Sequence, residues 1–190
     1  MENYVKKFLG EVGVNLKKVS WREIAKTMKI LQTAYEADGK VFLIGNGGSA
    51  AIASHFANDL NKTIFGKKGE KKVKRFQAIS LTDNIPTLTA WANDVGYEYV
   101  FSEQLKNFAQ EKDVLVTISS SGNSPNIIKA AQTAKSLYLP IIAFVGFDGG
   151  KLISLADAKI HVPSNSYAIV ESCHGAICHH IITYFQELIE

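Results

Sequence analysis

From residue 41 onward, short runs that are apolar at nearly every position alternate with longer stretches in which apolar residues return every three or four positions. The first kind falls at 41–44, 77–81, 114–118, 141–145 and 159–162. Runs this short, and apolar on both faces, are what the strands of a covered parallel sheet require. The second kind falls at 49–61, at 85–93 together with 99–109, and at 125–137, with a short stretch after Gly150. This alternation predicts an α/β fold, a three-layer α/β/α sandwich around a five-stranded parallel sheet with right-handed crossovers. Extra helical elements bracket the sheet. Residues before Ser20 are amphipathic, Ser20 and Glu23 have the spacing of a capping box, and Gly39 is placed to stop the second helix. Residues 167–190 read as a long apolar helix. So much apolar surface outside a complete sheet predicts subunit packing, with 1–38 as an N-terminal helical extension that packs in the oligomer. With no internal repeat, the expectation is a single domain over 1–190.

Composition narrows the partners. A chain of 190 residues, 46% hydrophobic and 21% charged, is ordinary for a soluble globular domain. A net charge of +3 is too small to argue for nucleic acid. No apolar run reaches the roughly eighteen residues of a spanning helix, and the first residues lack a secretory core. Cys173 and Cys178 lie in one helical segment, badly placed to pair with each other. The expectation is a cytoplasmic protein with neither membrane nor nucleic acid as partner. Between 62 and 75, Lys62, Lys67, Lys68, Lys71, Lys72, Lys74 and Arg75 stand against Glu70, with Phe65 as the aromatic among them. That stretch reads as a solvated loop.

The chemistry gathers where the predicted strands end. After 41–44 come Gly45, Asn46, Gly47, Gly48 and Ser49. The glycines let a ligand approach the main chain, and Ser49 opens a helix whose free N–H groups and dipole suit an anion such as phosphate. The spacing is neither that of a dinucleotide site nor that of a nucleoside triphosphate loop. A sugar phosphate fits better, and no nucleotide cofactor is expected. After 114–118 come Ser119, Ser120, Ser121, Gly122, Asn123, Ser124 and Pro125. Ser124 is placed as a helix cap and Pro125 as the first helical residue. Hydroxyls beside free N–H groups offer a dianionic phosphate several short donors with no lysine needed. Both loops lie beyond carboxyl ends of strands, where ligands of such sheets bind.

His55 and Asp59 are four apart, hence on one face of the helix after the first loop. Near the other end stand Glu171, His174, His179 and His180. His55, Asp59, Glu171 and a C-terminal histidine could hold a divalent metal through mixed nitrogen and oxygen ligands, or shuttle protons. Along one helix, Glu171 and His179 are separated by about 12 Å. They share a site only if Glu171 lies at a frayed helix start or the two belong to different subunits. Cys173 and Cys178 read as small core residues, His174 and His180 as packing or surface groups.

Taken in order, several pieces of this sequence resemble the SIS (sugar isomerase) phosphosugar-binding domain family, and within it the phosphoheptose isomerases. They are Gly45 to Ser49, His55-Phe56-Ala57, Ala92-Asn93-Asp94, Ser119 to Ser124, Asp148-Gly149-Gly150, and the C-terminal glutamate and histidines. The resemblance covers nearly the whole chain. It implies a flavodoxin-like sheet, a homotetramer with active sites between subunits, and conversion of sedoheptulose 7-phosphate to D-glycero-D-manno-heptose 7-phosphate for lipopolysaccharide or capsule. It implies that Asn46, Gly47, Gly48, Ser49, Asn93, Asp94 and Glu171 belong to the substrate site. Ser119, Ser120, Ser121 and Ser124 would hold the phosphate. Zinc is associated with the positions of His55, Asp59, Glu171 and His179, one ion per subunit. Asp59 stands where the family has its catalytic glutamate, His179 at its catalytic histidine, and Glu171 where it has a glutamine. Asp59 is one methylene shorter, and a misplacement of about 1 Å can cost roughly 10²-fold in rate. Glu171 adds a negative charge near Asp59, which raises a neighbouring carboxylate's pKa or favours a bound cation. The expected reaction is an aldose–ketose isomerisation through an enediol, Asp59 acting as base and His179 as acid. Two other readings stand beside it: a non-catalytic phosphosugar-binding regulator, and an isomerase of another phosphosugar.

Overall fold

The computed structural model describes residues 1–65 and 74–189. The loop expected over 62–75 therefore falls largely on residues 66–73, outside the described ones, and Glu190 is outside them as well. Helix α1 (Glu2–Lys18) lays Phe8, Val12 and Leu16 on the core, an apolar stripe at helical spacing. Helix α2 (Trp21–Glu36) begins where Ser20 accepts the Glu23 N–H at 3.4 Å. The other half of the expected capping box does not form. The Glu23 carboxylate accepts the Lys159 N–H at 2.8 Å, tying α2 to the last strand of the sheet. Nor is Gly39 the left-handed residue that ends α2; that is Asp38, at φ 56°. The Gly39 N–H donates to the Ala34 carbonyl at 2.8 Å, and its bare Cα admits the Lys112 carbonyl, which a Cβ would overlap.

Five strands follow, each within one residue of its expected ends: β1 (Lys40–Gly45), β2 (Gln77–Ser80), β3 (Val114–Ser119), β4 (Ile141–Val145) and β5 (Ala158–His161). They form one parallel sheet in the order β2-β1-β3-β4-β5. Helices α3 (Gly48–Asn61), α4 (Ile85–Asp94), α5 (Ser102–Phe108) and α6 (Pro125–Ser136) lie between strands, and α7 (Tyr167–Ile189) follows β5. Short 3-10 turns occur at Thr63–Phe65, Tyr97–Tyr99 and Lys151–Ser154.

Alternate residues of β1 serve opposite layers. Val41 and Leu43 join Leu31, Phe56, Leu60 and Phe185 in the core under α2, α3 and α7, while Phe42 and Ile44 join Phe101, Leu105, Ile127 and Ala130 under α5 and α6. Large side chains of this kind contribute about 1.5–3 kcal/mol each when fully buried. With both parities covered, a strand must be apolar throughout rather than at every second position. The outer edge of β2 is closed by the Asn61 side chain, which donates to the Ala78 carbonyl at 2.7 Å and accepts the Ala78 N–H at 2.9 Å.

The chain runs from β1 outward to β2, then crosses back to place β3 on the other side of β1. That reversal makes β1/β3 the switch point, where a crevice opens beyond the carboxyl ends of the strands. The glycine loop after β1 and the serine loop after β3 meet there.

Candidate active site

The two loops are bolted together by asparagines. Asn46 and Asn126 exchange two amide hydrogen bonds of 2.9 Å, and the Tyr97 hydroxyl donates to Asn46 Oδ1 at 3.0 Å. Asn126 Oδ1 also accepts the Ile127 N–H at 3.0 Å, in the first turn of α6. Within the protomer, Asn46 thus spends its side chain on joining the loops. Sequence reasoning missed Asn126 and Tyr97, whose importance depends on which distant segments the sheet brings together.

The serine loop is held from both sides. Gly122 N–H donates to Ser119 Oγ at 3.2 Å and Asn123 N–H to Ser121 Oγ at 3.3 Å. The segment after β4 braces it: Gly146 N–H donates to the Ser120 carbonyl at 2.8 Å, and Leu152 N–H to the Gly122 carbonyl at 3.0 Å. Asn123 Oδ1 accepts the Lys151 N–H at 3.1 Å, and Asp148 Oδ1 accepts the Gly150 N–H at 3.0 Å, which accounts for the Asp148-Gly149-Gly150 signal. Ser124 occupies the cap position of α6, with Pro125 next, but makes no side-chain capping bond. Ser120 Oγ is buried with no partner among the described residues. These hydroxyls and helix-start N–H groups form a neutral donor set.

The glycine loop differs. Helix α3 starts at Gly48, one residue ahead of expectation, after Gly47 at φ 54°. Ser49 is buried in its first turn, its N–H donating to the Asn46 carbonyl at 3.0 Å. The Glu171 carboxylate packs against Gly48: a Cβ there would lie 2.5 Å from one oxygen and 2.8 Å from the other. The start of α3 thus already faces a negative charge, complementary to its dipole.

Further along α3, Asp59 is buried and its two oxygens are used differently. Oδ1 accepts from Thr63 Oγ1 at 2.6 Å and from Asn58 Nδ2 at 3.3 Å. Oδ2 lies 3.2 Å from His55 Nε2 and 3.6 Å from His179 Nδ1. The two imidazoles meet edge to face, centroids 5.0 Å apart, and both are exposed on the outer side. Asp59 and His179, from different helices, therefore converge within one protomer. His55, Asp59 and His179 offer ligand atoms all within 4.8 Å of one another. Glu171 is not one of this group. It precedes His179 by eight residues on a continuous helix, a rise of about 12 Å, and lies at Gly48 instead.

Asn93 and Asp94 sit at the exposed end of α4, bonded to each other at 2.7 Å, just before the turn that carries Tyr97 to the glycine loop. His174 is a core residue: fully buried, Nε2 lies 3.2 Å from the Val145 carbonyl, and burial pushes it down to about 4. Burial, with Asp59 close by, pushes the Cys178 thiol up, so it stays protonated.

Fold and site together define a class: a parallel α/β sandwich with hydroxyl and N–H donors at its switch point and, about 16 Å along α3 from Gly48, a carboxylate–imidazole group. Comparison with known proteins gives the family. Residues 5–146 match the family model of the SIS domain. A phosphoheptose isomerase of Helicobacter hepaticus is 40% identical over 156 residues, covering 82% of this chain and 77% of the relative. The solved structure of a phosphoheptose isomerase from Neisseria gonorrhoeae superposes with a TM-score of 0.87 at 30% identity, over 98% of both chains. One from Francisella tularensis gives 0.89 at 29% identity, over 98% of this chain and 96% of that one. The chain belongs to the SIS-domain family and, within it, to the phosphoheptose isomerases.

Proposed function

We propose that the protein isomerises sedoheptulose 7-phosphate to D-glycero-D-manno-heptose 7-phosphate through an enediol. The observation that carries this is Asp59 Oδ2 standing between two imidazoles, in a chain whose switch-point serine loop suits a phosphate. Ser119, Ser120, Ser121 and Ser124 hold the phosphate. Gly47, Gly48 and Ser49, with Asn93 and Asp94, line the sugar, and Asn46 fixes the loop that does so. Asp59 takes a proton from C1, next to the C2 ketone. The electron pair forms the enediol double bond while the ketone oxygen gains a proton from His179. Return of the carbon proton to C2, with loss of the C1 hydroxyl proton to His179, leaves the aldehyde. Atoms balance, and the oxidation change is internal to C1 and C2. In one protomer the Asp59–His179 pair lies about 16 Å along α3 from the phosphate loops, so a neighbouring subunit supplies the pair; the anchored phosphate then fixes the reacting carbons between base and acid.

A zinc ion suits the donor set. Two imidazole nitrogens and a carboxylate oxygen are ordinary zinc ligands, and about 3.4 Å between donors is what tetrahedral coordination requires; the observed 3.2 and 3.6 Å bracket that value. His55, Asp59 and His179 would hold the ion, with Glu171 outside the set in the protomer. When bound, zinc supplies a Lewis acid that polarises the substrate carbonyl.

A homotetramer accords with α1, whose Tyr4, Val5, Leu9 and Val14 are exposed in the protomer. A cytoplasmic place belongs to the same reading; among the described residues no helix is long and apolar enough to cross a membrane.

The test is proton exchange followed by NMR in deuterated water with sedoheptulose 7-phosphate. Turnover is expected, with deuterium entering at C1 or C2. His179→Ala is expected to abolish it while leaving the thermal melt and binding of inorganic phosphate near wild type. Normal exchange in that variant removes His179 from the mechanism, and none in the wild type removes the function.

A further inference from the structure

Thr33, Ser54, Thr89 and Thr183 each donate a hydroxyl to the backbone carbonyl four residues earlier, at 2.9–3.1 Å. That is the local habit of hydroxyl side chains on helices. Thr63 stands four residues after Asp59 and behaves otherwise. Its Oγ1 donates to the Asp59 carboxylate at 2.6 Å. Helix α3 ends at Asn61, Lys62 leaves helical geometry at φ −129°, and the chain tightens into the turn at Thr63–Phe65. There the hydroxyl meets the side chain of residue 59 instead of its carbonyl. The turn is pinned from α7, where Gln186 Nε2 donates to the Thr63 carbonyl at 2.9 Å. Gln186 follows His179 by seven residues, hence two turns along the same face of α7.

We propose that Thr63 is a positioning residue for Asp59, an inference that rests on the isomerase reading. The terminal torsion of an aspartate is broad and roughly two-fold, so nothing in the side chain itself decides which oxygen faces the reacting atoms. Thr63 decides it by holding Oδ1 at 2.6 Å, a shorter bond than the 3.3 Å one from Asn58 Nδ2 to the same oxygen, and Oδ2 is left to the two imidazoles. The carboxylate is buried, so bulk water does not replace a lost donor. Through Gln186, the helix that carries the acid also fixes the turn that aims the base, and the two keep their spacing.

Thr63→Val keeps the shape and removes the hydroxyl; Thr63→Ser keeps the hydroxyl. With sedoheptulose 7-phosphate, the valine variant is expected to lose about 10–100-fold in kcat, the usual range for an outer-shell partner, with KM within about twofold. The serine variant is expected to keep kcat within about threefold of wild type. Crystal structures of both variants give a readout independent of activity. Asp59 is expected to turn, with Oδ2 leaving the imidazoles, in the valine variant only. Full kcat in Thr63→Val, an unmoved Asp59 in its structure, or a serine variant as impaired as the valine one each overturns the proposal. If the wild type turns over no heptose phosphate, the function reading falls while the pair of structures still decides on Thr63. Should Thr63→Val fail to fold, Thr63→Ala is read the same way.

Discussion

The two loops at the switch point are made of the same kind of residue, small and polar, yet they are finished differently. The serine loop brings hydroxyls and N–H groups with no carboxylate hydrogen-bonded to those hydroxyls among the described residues, and backbone bonds from the segment after β4 hold it. The glycine loop has the Glu171 carboxylate packed against Gly48, where α3 begins. A second anion there would meet like charge. On the proposed reading the difference sorts the ligand, its dianionic end to the serines and uncharged hydroxyls to the glycines. Small-residue content does not make that division. Helix α7 does, by delivering Glu171 to one loop and His174 to the floor of the other, where Val145 accepts from its imidazole and Gly146 donates to Ser120.

The most damaging way to probe the glycine side is Gly48→Ala. Its Cβ would lie 2.5–2.8 Å from the Glu171 carboxylate atoms, the far end of a flexible side chain, so that group swings aside. Where the group it displaces aligns the sugar, a shift of about 1 Å can cost as much as roughly 10²-fold in rate. Steady-state kinetics are expected to show kcat down by about that factor, with inhibition by inorganic phosphate within about threefold of wild type. Equal losses in both would merge the loops into one site.

His174 exposes the serine side to acid. Its ordinary value is 6.5, and burial lowers it to about 4 in the folded protein. The native chain therefore binds fewer protons than the unfolded one between those values. The stability is present above pH 6.5 and is lost as pH falls toward about 4. At about 1.4 kcal/mol per pH unit, the whole window is worth about 3 kcal/mol. Urea unfolding of wild type and His174→Gln across that range should show the two curves converging at low pH by most of that amount. Parallel curves would mean that the imidazole is not held neutral.

A smaller test has two signs. Ser120 Oγ is buried without a partner among the described residues, and a buried unpaired hydroxyl costs about 1–3 kcal/mol. Ser120→Ala is expected to raise the stability of the free protein by about 1 kcal/mol and to raise KM about tenfold, through loss of a charge-assisted hydrogen bond to phosphate. Denaturation and kinetics on the same preparation check both. Lower stability with unchanged KM would make Ser120 a structural hydroxyl and weaken the contrast between the loops.

How much of this was legible beforehand depends on range. The central strands β1, β3 and β4 could be read because burial on both faces leaves almost no polar position in a run such as Phe42, Leu43 and Ile44, whereas the edge strands β2 and β5 are buried only at every second residue. Ser119 to Ser124 and the His55–Asp59 pair could be read because strand ends and helical spacing place them. The helix rise alone already separated Glu171 from His179. What escaped was decided by partners far along the chain. Glu23 had the right spacing for a capping box, but Lys159 claims its carboxylate. Gly39 looked like a helix stop, but the Lys112 carbonyl is what requires it. Asn126 and Tyr97 carry no motif and matter through bonds to Asn46 that only the folded topology creates, while Thr63 is local to Asp59 but is pinned by Gln186 from α7.

Glu171→Gln is the mildest change and the one that most directly separates the loops. Two unit charges about 4 Å apart interact by about 4 kcal/mol at an effective dielectric of 20. If the phosphate sat at the start of α3, neutralising the carboxylate would tighten its binding by about 10³-fold. With the phosphate on the serine loop, water and salt lie between the two, and at physiological ionic strength screening acts over about 8 Å. The expected gain is then a few-fold, shrinking as salt is added. Calorimetric titration of inorganic phosphate into both proteins, at low and at physiological salt, measures this. A gain of two orders of magnitude that survives salt would put the anion on the glycine loop and reverse the assignment of the two ends of the sugar phosphate.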